Sequence, residues 1–137
     1  MKKEQYIKKF SIFVEGKKNK PNYKTINIDG FVVYQGRDAE SNDYLTFEVA
    51  SNDDYWLHAK GVPGSHVIIK VAEKVPDERL IYKVAEIAAK NSAASKKNLE
   101  HVNVICCKRM FVTKKPGMNP GQVSVEELNS QIIKVKM

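Results

Sequence analysis

Cysteine is scarce in this chain and badly placed for cross-linking. There are two, Cys106 and Cys107, and they are adjacent. Neighbours on a strand point to opposite faces, and neither has a second cysteine at metal-ligand spacing. This speaks against a secreted disulfide scaffold and makes both residues small fillers of strand positions. Long apolar runs are also missing, so nothing is built to span a membrane. The opening, MKKEQYIKKFSIFVEG, has an apolar stretch at residues 10–14 that is too short for a signal-peptide core, and Glu15 interrupts it. The expected location is the cytoplasm. There is no internal repeat, no low-complexity tract and no phosphate-binding glycine loop. Gly61-Val62-Pro63-Gly64 leads into a strand and not into a helix.

Acidic charge is in short supply. Lys and Arg number 23 against 16 Asp and Glu, a net charge of +7. The excess sits at the ends. Residues 1–24 carry eight lysines and two glutamates, residues 25–113 eleven cations and twelve acids, and residues 114–137 four lysines and two glutamates. A basic arm on a nearly neutral body suits phosphate-backbone binding by counterion release, and it also suits a merely solvated terminus. At 137 residues the chain reads as one domain, residues 21–137, behind a basic arm or strand at residues 1–20.

What is present is concentrated in residues 53–71, DDYWLHAKGVPGSHVIIKV. This stretch holds the only Trp, Trp56, and two of the three His, His58 and His66. It reads as two strands joined by the Pro-Gly turn. Alternation places Trp56, His58 and Lys60 on one face, opposite Tyr55, Leu57 and Ala59. In the second strand His66, Ile68 and Lys70 share a face, opposite Val67, Ile69 and Val71. Val67, Ile69 and Val71, the second set of their strand, form the expected core face. The first set combines flat rings with cations, the combination that recognises unpaired nucleotides by stacking and phosphate contact. The alternative is a core Trp56, with His58 and His66 anchoring the turn and Asp54 and Ser65 as their partners.

Two further groups suit RNA. Arg37 and Asp38 follow directly on the β run Phe31-Val32-Val33-Tyr34, and strand ends are where a sheet presents binding groups. Arg37 is placed to meet a phosphate or base edge, with Asp38, Asn42 or Asp43 holding its guanidinium or bonding a ribose hydroxyl. A local ion pair in the turn is the structural alternative. Lys96 and Lys97 lie late in a helix, where they serve its dipole or clamp a phosphate.

These blocks resemble the NFACT RNA-binding domain, the C-terminal module of ribosome-associated quality control factors. Asp54, Trp56, His58, Gly64, Ser65 and His66 match that family's D-x-W-x-H and G-S-H-V signature. Gly36-Arg37-Asp38 with Asn42-Asp43 resembles its G-R-(N/D) and N-D segment. Lys114-Lys115-Pro116-Gly117 with Pro120-Gly121 resembles its K-K-P and K-P-G end, except that Asn119 stands where the family has a second lysine. The resemblance spans roughly residues 30–125. It implies a stand-alone domain that binds structured RNA, tRNA or rRNA, through Arg37, Asp38, Asn42, Asp43, Asp54, Trp56, His58, Lys60, Gly64, Ser65, His66, Lys70, Lys96, Lys97, Lys114 and Lys115. It further implies a link to the large ribosomal subunit, or to a tRNA-handling protein, in stalled translation. The family's N-terminal domain, helix-hairpin-helix elements and coiled coil do not fit in 137 residues. Action in trans, or another RNA task such as tRNA modification, is therefore also open.

Elsewhere the pattern reads as strand at 23–28, strand at 31–34 after the Asp29-Gly30 turn, and a short helix capped by Ser41. A long helix follows at about 77–95, then strands at 102–113, 122–125 and 131–136. The expected fold is α+β, a largely antiparallel sheet with one long and one short helix packed on it. A strand near residues 10–15 is also expected. No catalytic residue, metal or cofactor is assigned. Asp53 and Asp54 are adjacent and point apart, and no nucleophile motif adjoins the histidines. An RNA-directed enzyme using His58 or His66, a protein-interaction domain and a general DNA-binding module are the competing readings. The oligomeric state is not encoded in any pattern found.

Overall fold

The computed structural model describes residues 21–137, so the arm and its expected strand at 10–15 lie outside the described residues. Strands β1 (Tyr23–Ile28) and β2 (Phe31–Gly36) are joined by Asp29 and Gly30, both at positive φ. That two-residue turn fixes the register, with Ile28 facing Phe31 and Tyr23 facing Gly36. β3 (Tyr55–Ala59), β4 (Val67–Ile69), β5 (His101–Lys108) and β8 (Gln131–Lys136) complete a six-stranded sheet in the order β1-β2-β4-β3-β5-β8. Every neighbouring pair is antiparallel. A separate ribbon pairs β6 (Val112–Thr113) with β7 (Ser124–Val125). The architecture is the expected α+β.

One face of the sheet is closed by helix α2 (Glu78–Lys90). Its Leu80, Ile81, Val84, Ala85, Ala88 and Ala89 are buried against Leu57, Ala59, Val67, Ile69, Val104 and Val135. Burying each large aliphatic contributes about 1.5–3 kcal/mol, while the alanines let the helix lie close to the strands. Asp77 caps the helix, its carboxylate accepting the Leu80 N–H at 2.9 Å. The helix ends at Lys90, earlier than expected. Asn91 Nδ2 and Ser92 Oγ donate back to the Ile87 and Ala89 carbonyls, and the 63–65 segment takes up the next backbone groups. Ala93 N donates to Pro63 O, and Ser65 N donates to Asn91 O. Lys96 therefore lies in a short 3-10 turn, Ala93–Lys96, with Lys97 just after it.

The opposite face is covered over only part of its width. Leu45, Ala50, Trp56, Ile68, Cys107 and Val112 form a second core there. Its cover comes from helix α1 (Ala39–Tyr44), the π-helical turn Leu45–Val49 and the segment around β6 and β7. Helix α1 starts one turn earlier than expected. Asp38 is its N-cap, accepting Ser41 N at 2.7 Å, and Ser41 Oγ accepts Asp38 N in return. Cys106 and Cys107 fall in different cores, as adjacent strand residues must. Burial pushes their thiols up to about 11 and about 12. Among the described residues no helix is long and apolar enough to cross a membrane.

Candidate nucleic-acid interface

The β3–β4 register sets Trp56 opposite Ile68 and Leu57 opposite Val67. One step further brings His58 and His66 together, with ring centroids 5.0 Å apart and edge to face. Trp56 lies 5.0 Å from His66 and 5.7 Å from His58. The three rings do share a face, but they do not share an environment. Trp56 and His66 are each 1% exposed, whereas His58 is half-buried. Trp56 is therefore core and offers no stacking surface.

Thr46, which no sequence pattern marked, holds this cluster. It is buried in the π-helical turn, whose closing bond runs from Ala50 N to Leu45 O. Trp56 Nε1 donates to Thr46 Oγ1 at 3.1 Å, and Thr46 Oγ1 lies 3.0 Å from His66 Nδ1. The threonine hydroxyl keeps a second lone pair and its own proton, so it can serve His66 Nδ1 either as acceptor or as donor. Burial, His58 and Lys114 push the His66 imidazole down to about 3, against weaker opposing pulls from the Gly121 and Asn42 backbones. Burial also lowers His58. Both rings are uncharged at neutral pH.

Several of the expected contact residues spend their polar atoms inside the fold. Asn42 Oδ1 accepts His66 N at 3.0 Å, and its Nδ2 donates to Gly64 O at 3.2 Å. Asp54 is 1% exposed and accepts Ser51 N, Val71 N and Lys70 Nζ at 2.7, 2.8 and 2.6 Å. Asp43 pairs with Lys114 at 3.0 Å, and Lys114 also donates to the Asn119 and Gln122 carbonyls. Ser65 is buried and accepts Gln35 Nε2 at 3.4 Å. Gly64 passes so close to Ser92 that an added Cβ would meet the serine Cβ at 2.8 Å. For Lys70, the side chain is 30% exposed, so its pair with Asp54 is partly screened. Lys70→Ala is expected to lose about 1–2 kcal/mol in urea denaturation, from the carboxylate left buried, with RNA affinity unchanged.

Between the sheet and the 118–123 loop lies a cleft of about 880 Å³. Its floor is His58, His66, Trp56 and Ile105, with the 61–64 turn on one side and Pro120 and Gly121 on another. Arg37 and Asp38 stand at the rim. Asp38 is committed to its cap. Among the described residues the Arg37 guanidinium has no hydrogen-bond or ion-pair partner; only its backbone N–H is engaged, by Ser41 and Asn22. The cleft thus offers one free cation beside one accessible neutral imidazole. Lys60 and Lys97 line a separate hollow, and Lys96 and Lys115 are exposed outside the cleft. Among the described residues no three His, Cys, Asp or Glu converge as metal ligands.

The model of the NFACT protein RNA binding domain matches residues 10–127. Rqc2 homolog RqcH of Bacillus subtilis (strain 168) is 37% identical over 121 residues, covering 85% of this chain and 20% of that protein. Rqc2 homolog RqcH of Streptococcus suis (strain 05ZYH33) is 34% identical over 108 residues, covering 79% and 19%. The chain spans about a fifth of the length of these relatives. Among solved structures, the C-terminal part of the fibronectin/fibrinogen-binding protein from Streptococcus suis superposes with a TM-score of 0.73 at 30% identity, over 86% of this chain and 45% of that one. The family match takes in the histidine pair, the Arg37 rim and the loop that walls the cleft. The chain belongs to the NFACT RNA-binding domain family.

Proposed function

We propose that this chain binds structured RNA, tRNA or rRNA, by drawing an unstacked nucleotide into the cleft. Arg37 meets its phosphate and His58 reads or stacks on its base. The observation that carries this is the pairing of a free guanidinium with an accessible uncharged imidazole in one cleft. A neutral imidazole offers one donor and one acceptor, which suits a base edge, and a guanidinium suits a phosphate. The lysine-rich residues 1–24 add sequence-independent attraction to the backbone. By likeness to the Rqc2 homologs, the biological setting is ribosome-associated quality control of stalled translation, in the cytoplasm and at the large subunit. The chain is a binder in this reading, not a catalyst. His66 is buried against Thr46 and Trp56, and among the described residues no activated nucleophile accompanies His58.

The test is fluorescence anisotropy with tRNA, an rRNA fragment and duplex DNA. RNA is expected to bind more tightly than DNA. Arg37→Ala and His58→Ala should each weaken RNA binding about tenfold, roughly 1.4 kcal/mol, with the melting temperature unchanged. Equal binding of all three ligands, with neither substitution having an effect, would reject the cleft as the site. RNA turnover that is lost in His58→Ala would replace the binder with an enzyme.

A further inference from the structure

Some cations of the body are neutralised by acids and others are not. Lys70, Lys83, Lys108 and Lys114 are each paired with an aspartate. Among the described residues, the ammonium groups of Lys60, Lys97 and Lys134 have no such partner. These three are distant in sequence, yet they line one hollow of about 390 Å³ at the end of the sheet where β3 finishes and β5 begins. The strand register brings them together. Lys60 N donates to Asn103 O at 2.9 Å, and Asn103 is the direct partner of Lys134 across β5 and β8. Neighbouring strands lie about 4.8 Å apart, so Lys60, Asn103 and Lys134 form a row across three strands. Among the described residues, no aspartate or glutamate lines the hollow.

This end of the sheet face is the part that the second core leaves uncovered. Asn103 and Lys134 are exposed, and Ile132, opposite Ile105 of the cleft floor, is 47% exposed. The hollow also adjoins the cleft, because Val62 lines both. A chain leaving the cleft over the 61–64 turn therefore arrives among three unneutralised lysines and an exposed amide. We infer that the Lys60, Lys97 and Lys134 hollow is a second contact for the same RNA strand, holding the phosphates that flank the nucleotide in the cleft. Unpaired lysines on a face without acids complement a polyanion, and Asn103 adds a donor and an acceptor for a ribose or phosphate oxygen.

The inference rests on RNA entering the cleft, and the experiment separates the two. The affinities of the wild type and a K60Q/K97Q/K134Q variant are measured across a salt series for a tetranucleotide and a dodecanucleotide of single-stranded oligoadenylate. The wild type is expected to bind the longer strand more tightly. The triple variant should lose about tenfold on the long strand, with its salt slope shallower by about 2, and little on the short one. K60R/K97R/K134R should restore the long-strand affinity. All three side chains are surface groups, so an unchanged melting temperature belongs to the expected result. A triple variant that keeps both affinity and slope on the long strand, while Arg37→Ala loses binding, overturns the second contact and leaves the cleft standing. A wild type that binds neither strand overturns both.

Discussion

Replacing Gly36 by alanine is expected to lower the unfolding free energy by about 3 kcal/mol. Gly36 is the last residue of β2, and its missing side chain is the space that Asn42 fills. A Cβ there would sit 2.0 Å from Asn42 Oδ1 and 3.0 Å from its Cγ. The amide would have to leave. It now accepts the His66 N–H and donates to the Gly64 carbonyl. Each buried backbone group stranded by its departure costs about 1–3 kcal/mol. A double-mutant cycle checks the mechanism. In an Asn42→Ala background the clashing atoms are gone, and only the residue 42 backbone nitrogen at 3.1 Å remains tight. Gly36→Ala should then cost less than about 1 kcal/mol. Urea denaturation that gives the same loss in both backgrounds would sink this account. The G-R-D and N-D signature is, on this view, largely a lock. It fixes the start of β4, and with it the position of His66, while leaving Arg37 free at the rim.

That lock shows what could be read from the sequence and what could not. Period-two alternation groups Trp56 with His58 in β3 and His66 with Ile68 in β4; it leaves the register between the two strands open, and the pairing of Trp56 with Ile68 in the fold is what puts all four on one face. Alternation said nothing about what covers that face. The cover comes from the π-helical turn and from residues 109–125, which reach it only through the tertiary fold. Trp56 thus reads equally as a stacking platform or as core, and the cover makes it core. Thr46 left no trace, since a threonine in an apolar turn resembles any other small polar residue. The charges were legible as charges but not as pairs. Asp54 and Lys70 stand sixteen residues apart, and Asp43 and Lys114 are joined only once the 114–122 loop folds back. Asp38 and Ser41 both favour a helix cap, and the end of β2 at Gly36 decides for Asp38. The long helix was evident from its apolar spacing. Its early end was not, because the groups that take over at Asn91 belong to the turn beside Gly64.

Acidification from pH 6.5 to 5 is expected to remove about 2 kcal/mol of stability through His66 alone. In the unfolded chain the imidazole takes up a proton near its ordinary value of about 6.5. In the fold, burial first, then His58 and Lys114, hold it down to about 3. Between those limits the unfolded state binds the extra proton, so stability rises with pH across the window. The contribution is fully present above 6.5 and is lost as the pH falls towards 3, at about 1.4 kcal/mol per unit. Over the whole window this amounts to about 5 kcal/mol, comparable with the entire stability of a small domain. His58, also lowered by burial, acts in the same direction. Above pH 5 ordinary carboxylates, near about 4, contribute little, which leaves the upper window to the histidines. Urea midpoints at pH 7, 6 and 5 read the effect. His66→Gln should start less stable at pH 7 and show a shallower slope, because the group that must stay unprotonated is gone. A flat wild-type profile from pH 7 to 5 would mean that His66 accepts a proton in place. The cleft floor would become cationic, and RNA affinity would rise on acidification where the neutral pair predicts a loss of fold.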